Sequence, residues 1–539
     1  MMKKGYLLVA LLLAMLMISA CSDGEVAVQG EEKDGGESVE SGGKLMLGTT
    51  AAPTLFNPYY STDTSSSTLE GFMFSGLVTV DEDFNPEGDL AESWEFSDDG
   101  LTWTFHLREN VKWHDGEDFN ADDVVFSYGI PLDEEYVGPR GLPFEIIDEI
   151  NKIDDYTVEF VLSEPYAPFI TITAQFEVLP KHILGDVPIE DLGKDKFNTK
   201  EPIGTGPFKF KEWKEGEYIE LVANEDYYLG KPKLDGIIYK IVPDMNTLMA
   251  QLEVGDINMT GISPQYIETA KKLEEKGKVV VTSGPANAFE YIGYNLRNEL
   301  FQDKKVRQAL THAIDKESIV TAILDGAGTV ADGPGSPANW AFNPDMPKFE
   351  YDPELAKKML KEAGWEPNSE GILEKDGKKF EFVLKTTSAN EVRQQIAEVA
   401  QQQFKEIGIK TTIEVLEWSA YVEQTSPPNW NFDAMVAGWS IGSDPDPTWF
   451  WHSSEIENGL NYNGYSNEKV DELLSENTKI SDLEERKNII AEADSIVAED
   501  QPNTFLYYVE GSLANSPTLH GPSYNASNTY YKIHEWYID

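Results

Sequence analysis

Apolar positions along the chain follow two rhythms. Over roughly the first two hundred residues they mostly alternate. LTWTFHL at 101–107 puts Trp103, Phe105 and Leu107 on one face, the pattern of a half-buried strand. KLMLGTT at 44–50 and YTVEFVL at 156–162 read as strands too. Between them His114-Asp115-Gly116 forms a turn, and Asn120 stands as a helix N-cap with Asp122 and Asp123 in the first turn. This region reads as α+β. Farther on, helical spacing takes over. Asp303 caps a helix whose apolar face is Val306, Ala309, Leu310, Ala313 and Ile314, stopped by Gly326. Asp352-Pro353 starts another helix, ending at Gly364. A strand at 380–386 is followed by a helix carrying Ile396, Val399, Ala400, Phe404 and Ile407, stopped by Gly408. Strands at 411–418 and 432–439 complete a strand–helix–strand order, which predicts an α/β lobe. No repeat of about 20–50 residues is visible, which disfavours solenoids and propellers.

Length and charge narrow the picture. At 539 residues with 40% apolar content, the chain is globular and too long for one core. Its 95 acids against 43 bases give a net charge of −52, the wrong sign for nucleic-acid binding. The acids are spread evenly, as on a solvated surface suited to high salt; a cleft tuned to cationic ligands is the sharper alternative.

The N-terminus carries a processing signal. Lys3 and Lys4 precede an uncharged apolar run at 7–18, too short to span a bilayer well. Ile18-Ser19-Ala20 then leads to Cys21, the only cysteine, in a pattern that resembles a bacterial lipobox. We expect residues 1–20 to be removed, Cys21 to be lipidated, and the Gly-, Ser- and Glu-rich stretch at 22–43 to act as a flexible tether. No later segment is long and apolar enough to suggest a transmembrane helix.

The densest chemistry lies at 438–451, GWSIGSDPDPTWFW. Residues 438–442 match the G-x-S-x-G nucleophile elbow around Ser440. That elbow needs a helix at once after the serine, and Pro445 and Pro447 delay any helix. Asp444-x-Asp446 lacks the further oxygen ligands that a hard cation requires. The Asp81-x-Asp83-x-Asn85 stretch has Pro86 where a calcium loop needs glycine. The seven histidines show no zinc-ligand spacing, and no phosphate-binding glycine loop occurs. No pair of carboxylates stands out for glycoside cleavage. No metal or cofactor is expected. Trp94, Trp103, Trp113 and Trp213 read as packing residues. Trp418 and Trp439 each end an expected strand, where α/β sheets place their ligands.

Several stretches together resemble one family. LAESWEFSDDGLTWTFHLRENVKWHDGEDFNADDVVFSY at 90–128, PIGTGPFKFKEWKEGEYIELVANEDYYLGKPKLDGI at 202–237 and YIGYNLRNELFQDKKVRQALTHAIDKESIV at 291–320 are similar to blocks of the family 5 bacterial extracellular solute-binding proteins. The DPELAKKMLKEAGW helix at 352–365 and the Trp439 loop add to this. The resemblance implies a periplasmic-binding-protein-like class II (cluster C) α/β fold, with two α/β lobes, an inserted α+β lobe and a hinge. Residues 44–88, 203–294 and 505–539 would form lobe I, 89–202 lobe II, and 295–504 lobe III. It also implies a lipid-anchored, extracytoplasmic protein, expected to be monomeric, that captures peptides between lobes I and III and passes them to an ABC permease. In peptide-binding members an aspartate of the 438–451 loop receives the ligand's α-ammonium. Asp444 is the first choice and Asp446 the second, although Asp446 also reads as a helix N-cap. Trp418 and Trp439 would line side-chain pockets, and Tyr294 and Asn295 are weaker contacts. Within the same fold, an oligosaccharide, a nickel chelate, haem or a peptide pheromone remains an alternative ligand. An esterase using Ser440 is the distant one.

Overall fold

The computed structural model describes residues 42–539. The signal segment, Cys21 and the tether lie outside the described residues. The architecture is α/β, built on one eleven-stranded mixed sheet and a separate four-stranded sheet.

The first strand, Lys44–Thr49, buries Leu45 and Leu47 and lies parallel to both Gly236–Ile241 and Met259–Gly261. Antiparallel Tyr218–Ala223 and Phe208–Lys214 extend the sheet to one edge. At the other edge Glu381–Thr387 and Lys410–Leu416 run parallel, joined through the helix Glu391–Glu406 as a βαβ unit. Ala434–Ser440 pairs beside them.

Joining the two sides are the longest strands, Val280–Tyr294 and Asn503–Asn515, antiparallel to each other. Their two ends serve different neighbours. Leu513–Asn515 holds Met259–Gly261, whereas 288–294 holds Ala434–Ser440. Between these ends the ladder breaks: Pro285 faces Glu510, the next pair is Phe289 with Tyr508, and residues 286–288 are left out. A bulge bends the strand that carries it and loosens the local pairing.

The four-stranded antiparallel sheet takes the order Ala91–Phe96, Thr102–Leu107, Thr157–Leu162, Ile147–Asp154. The alternation seen in the sequence is its cause: Trp103, Phe105 and Leu107 lie inward beside Val158, Phe160 and Leu162. Helix Ala121–Gly129 starts at Asn120 with a reciprocal capping box to Asp123, and its Tyr128 packs edge-on against Phe160 at 5.1 Å.

Two expectations need correction. The helix after Asp303 is two helices, Lys304–His312 and Lys316–Ala322. Asp315 breaks it, because its carboxylate accepts the Ser318 N–H at 3.0 Å and so starts a new helix. The strand expected to end at Trp418 stops at Leu416. The Glu417 carboxylate accepts the Ser419 N–H, making Trp418 the first residue of helix Trp418–Thr425.

Candidate functional site

The bulge in Val280–Tyr294 and the loop after Ala434–Ser440 meet through one side chain. Asn287 donates to the carbonyls of Ile441 (3.2 Å) and Gly442 (2.9 Å), and its own backbone carbonyl accepts the Ile441 N–H at 2.8 Å. Its side-chain oxygen accepts from Asn339 at 2.9 Å, and the neighbouring Ala286 carbonyl accepts the Ser336 hydroxyl at 2.7 Å. Asn287 thus ties the irregular part of the long strand to the aromatic loop and to residues 336–339. These are neutral, directional bonds in a buried setting, each of which would be costly to leave unmade.

Two residues beyond Gly442 lies an ion pair. Arg486, on helix Leu483–Asp500, donates two near-parallel bonds to Asp444, 2.7 Å to Oδ1 and 2.8 Å to Oδ2. The side chains are only 3% and 2% exposed, so solvent offers little screening. Burial works against the guanidinium charge, yet the Asp444 carboxylate holds the Arg486 pKa above its ordinary value. Oδ2 also accepts the Thr171 hydroxyl at 2.9 Å, and Oδ1 the Asp446 N–H at 3.0 Å. Thr171 follows the short helix Ala167–Ile170, just beyond the four-stranded sheet. Nearby, the Ala167 N–H donates to the Thr478 carbonyl at 2.6 Å and Ser443 Oγ to Gln175 Oε1 at 3.3 Å. The loop therefore joins segment 167–175 to the helices around 478–486.

Asp446 precedes Pro447, the N-cap of the short helix Thr448–Trp451, and its Oδ1 accepts from Thr448 N (3.2 Å), Thr448 Oγ1 (2.7 Å) and Asn477 (3.0 Å). Among the described residues Oδ2 has no partner, and it is shut off from solvent. Burial, then the nearby Asp444 charge, pushes the Asp446 pKa up to about 6. Asp446 also forms part of the wall of a cavity of about 430 Å³, with Tyr166, Trp449, Glu145, His452 and Lys479 around it.

The sequence-derived site residues have different fates. Asp444 offers no free carboxylate, because four donors take up both oxygens. Tyr294 is fully buried, with its hydroxyl paired to Thr504 at 2.7 Å and its ring stacked on Phe301. Asn295 donates to the carbonyls of Trp430 and Phe432 and fixes a chain reversal. Both side chains are engaged within the framework. Trp418 is half exposed and stacks on Tyr421, on a helix and not at a strand end. Trp439 is half-buried within Ala434–Ser440, stacked on Phe450 at 4.3 Å. Ser440 is exposed and ends its strand without a nucleophile turn, since the next helix begins at Thr448. Gly438 owes its place to close packing: a Cβ there would run into the Glu290 carboxylate and the Arg393 guanidinium. Those two groups pair bidentately at 2.7 and 2.8 Å. Among the described residues no cluster of three or more His, Cys, Asp or Glu is arranged for a metal, and no helix is long and apolar enough to cross a membrane.

Arg486 is the main residue that sequence reading missed. It did leave a signal: Arg486, Ile490, Ala493 and Val497 share one helical stripe, and all are buried. A charge on a core stripe requires a buried counter-charge.

Comparisons with known proteins agree with this frame. The model of the bacterial extracellular solute-binding proteins, family 5, matches residues 85–459. The oligopeptide-binding protein AppA of Bacillus subtilis is 45% identical over 99% of this chain and 98% of its own. The heme-binding protein A of Haemophilus influenzae is 32% identical over 94% of each chain. The solved structure of B. subtilis AppA in complex with a nonapeptide superposes with a TM-score of 0.80 at 46% identity, covering 93% of this chain and 99% of that one. By sequence model, full-length identity and fold alike, this chain belongs to the family 5 bacterial extracellular solute-binding proteins.

Proposed function

We propose that this protein binds oligopeptides outside the cytoplasm and delivers them, chemically unaltered, to an ABC permease. The observation that carries this reading is near-full-length identity of 45% to an oligopeptide-binding protein whose structure holds a nonapeptide. Residues 44–88, 203–294 and 505–539 act as lobe I, 89–202 as lobe II and 295–504 as lobe III. Strands Val280–Tyr294 and Asn503–Asn515 act as the hinge, flexing where residues 286–288 leave the ladder. Cys21, lipidated, tethers a monomeric protein to the membrane.

A receptor for many peptide sequences must read what all peptides share. Ala434–Ser440 suits that task. Toward Glu381–Thr387 only Ala434 and Met435 have ladder partners, and the Val436 carbonyl accepts the Tyr421 hydroxyl at 3.0 Å, so 437–440 are without ladder partners along that edge. An extended peptide can add there as a strand, with main-chain bonds for affinity and pockets for alternate side chains. Trp439 forms the wall of one such pocket. Trp418, projecting from its helix, lines the outer approach. Asp446 shapes the loop through its bonds to Thr448 and Asn477.

Isothermal titration with a panel of peptides of two to ten residues tests this. The expected result is saturable one-to-one binding with a negative heat-capacity change from closure over the ligand. No binding by any peptide, alongside saturable binding of haem, a nickel–histidine complex or an oligosaccharide, would overturn it.

A further inference from the structure

We infer that the protein accepts peptides whether or not they carry a free α-ammonium, so that N-terminally blocked peptides are ligands as good as free ones. This inference rests on the peptide reading above and specifies the class of peptide.

The two aspartates of the loop and the glutamate beneath Gly438 are not free to receive an ammonium. Asp444 is neutralised within the protein by Arg486, its oxygens further taken by Thr171 and the Asp446 N–H. Asp446 keeps one oxygen free of bonds, but that atom is closed off from anything entering the loop. Glu290, beneath Gly438, is held by Arg393 in a second bidentate pair. The groups presented along this wall are neutral: the Trp439 ring, the exposed Ser440 and the Gly442–Ser443 turn. Such a wall hydrogen-bonds a peptide main chain at any position along it. It gives an ammonium no counter-charge against the cost of leaving water. Arg486 is therefore a specificity-determining residue that acts through Asp444: by cancelling the loop's fixed charge it removes the requirement for a free terminus.

The test uses the wild-type protein and one peptide that binds it, synthesised with a free and with an acetylated N-terminus, measured side by side by titration calorimetry from about pH 6 to pH 8. If the ammonium were held by a charge-assisted bond, acetylation would abolish that bond and weaken binding by about tenfold or more. The expected result is a ratio of dissociation constants within about threefold, unchanged by ionic strength, because no ion pair forms with the terminus. A weakening of tenfold or more on acetylation, diminishing in high salt, overturns the inference and points to an acid beyond this loop, of which Glu510 opposite the bulge is the nearest in register. That result leaves peptide binding standing; failure of both peptides would instead count against the peptide reading itself.

Discussion

Replacing Asp444 by alanine separates a structural carboxylate from a ligand-binding one. In the folded protein this substitution removes two charge-assisted bonds of 2.7 and 2.8 Å from a guanidinium that is 3% exposed. What remains around Arg486 is a 3.3 Å bond to Asn477, the face of Trp340 at 5.4 Å and the Asp446 carboxylate, which acts on it only through space and makes no bond to it. Thr171 Oγ1 and the Asp446 N–H are deprived of their acceptor as well. Breaking one side of a buried ion pair costs about 3–5 kcal/mol, because the surviving charge is stranded. Asp444→Ala is thus expected to lower the thermal midpoint sharply. The double variant Asp444→Leu with Arg486→Met is expected to recover most of the stability, since an apolar pair of similar volume replaces a desolvated ionic one. Differential scanning calorimetry of the wild type, Asp444→Leu, Arg486→Met and the double variant measures the coupling. An Asp444→Ala protein that melts like wild type but binds peptide tenfold more weakly would refute the reasoning and restore Asp444 as a ligand contact.

Other expectations follow from particular groups. Glu70 is buried, its carboxylate bonded to the Ser61 hydroxyl at 2.9 Å, and burial, with the charge of Glu177, pushes its pKa up to about 8. Burial alone pushes Asp494 up to about 7. Each binds its proton more tightly when folded, so the stability it lends is present at low pH and is lost as pH rises through the folded value. The thermal midpoint is expected to rise between about pH 8.5 and pH 6.5, and Glu70→Gln to flatten that rise; a curve identical to wild type would contradict the role of Glu70. Gly438→Ala must force the Glu290–Arg393 pair apart and is expected to cost about 1–3 kcal/mol, read by thermal melting; a neutral result would show that the pair yields freely. With a net charge of −52, the protein is expected to melt higher in about 1 M than in about 0.05 M sodium chloride, and a flat profile would exclude self-repulsion as a destabilising force.

Much of the fold was legible in the sequence because single-face burial writes itself as periodicity. Trp103, Phe105 and Leu107, the Asn120 cap and the Asp352-Pro353 start all sit where the pattern put them. The pattern misleads where a side chain overrules it: Asp315 and Glu417 each start a helix by capturing a backbone N–H inside an otherwise continuous apolar run. The site was less legible. Asp444 has the composition of a ligand-binding acid, and the guanidinium that pairs with it lies 42 residues away along the chain, where no local pattern reveals it. Thr171 comes from farther still, 273 residues away, and nothing in its surrounding sequence marks it. Tyr294 and Asn295 resemble ligand contacts by their position at the end of a strand, although the Tyr294 hydroxyl is paired to Thr504 on the neighbouring strand and the Asn295 amide to the Phe432 carbonyl.

The central claim is capture without chemistry. Native mass spectrometry of the purified protein, before and after mild release of whatever travels with it, tests this most directly. The account predicts one peptide per chain, recovered at its full mass and able to rebind. A protein that carries no peptide and takes none up, or that returns an added peptide cleaved, would contradict it.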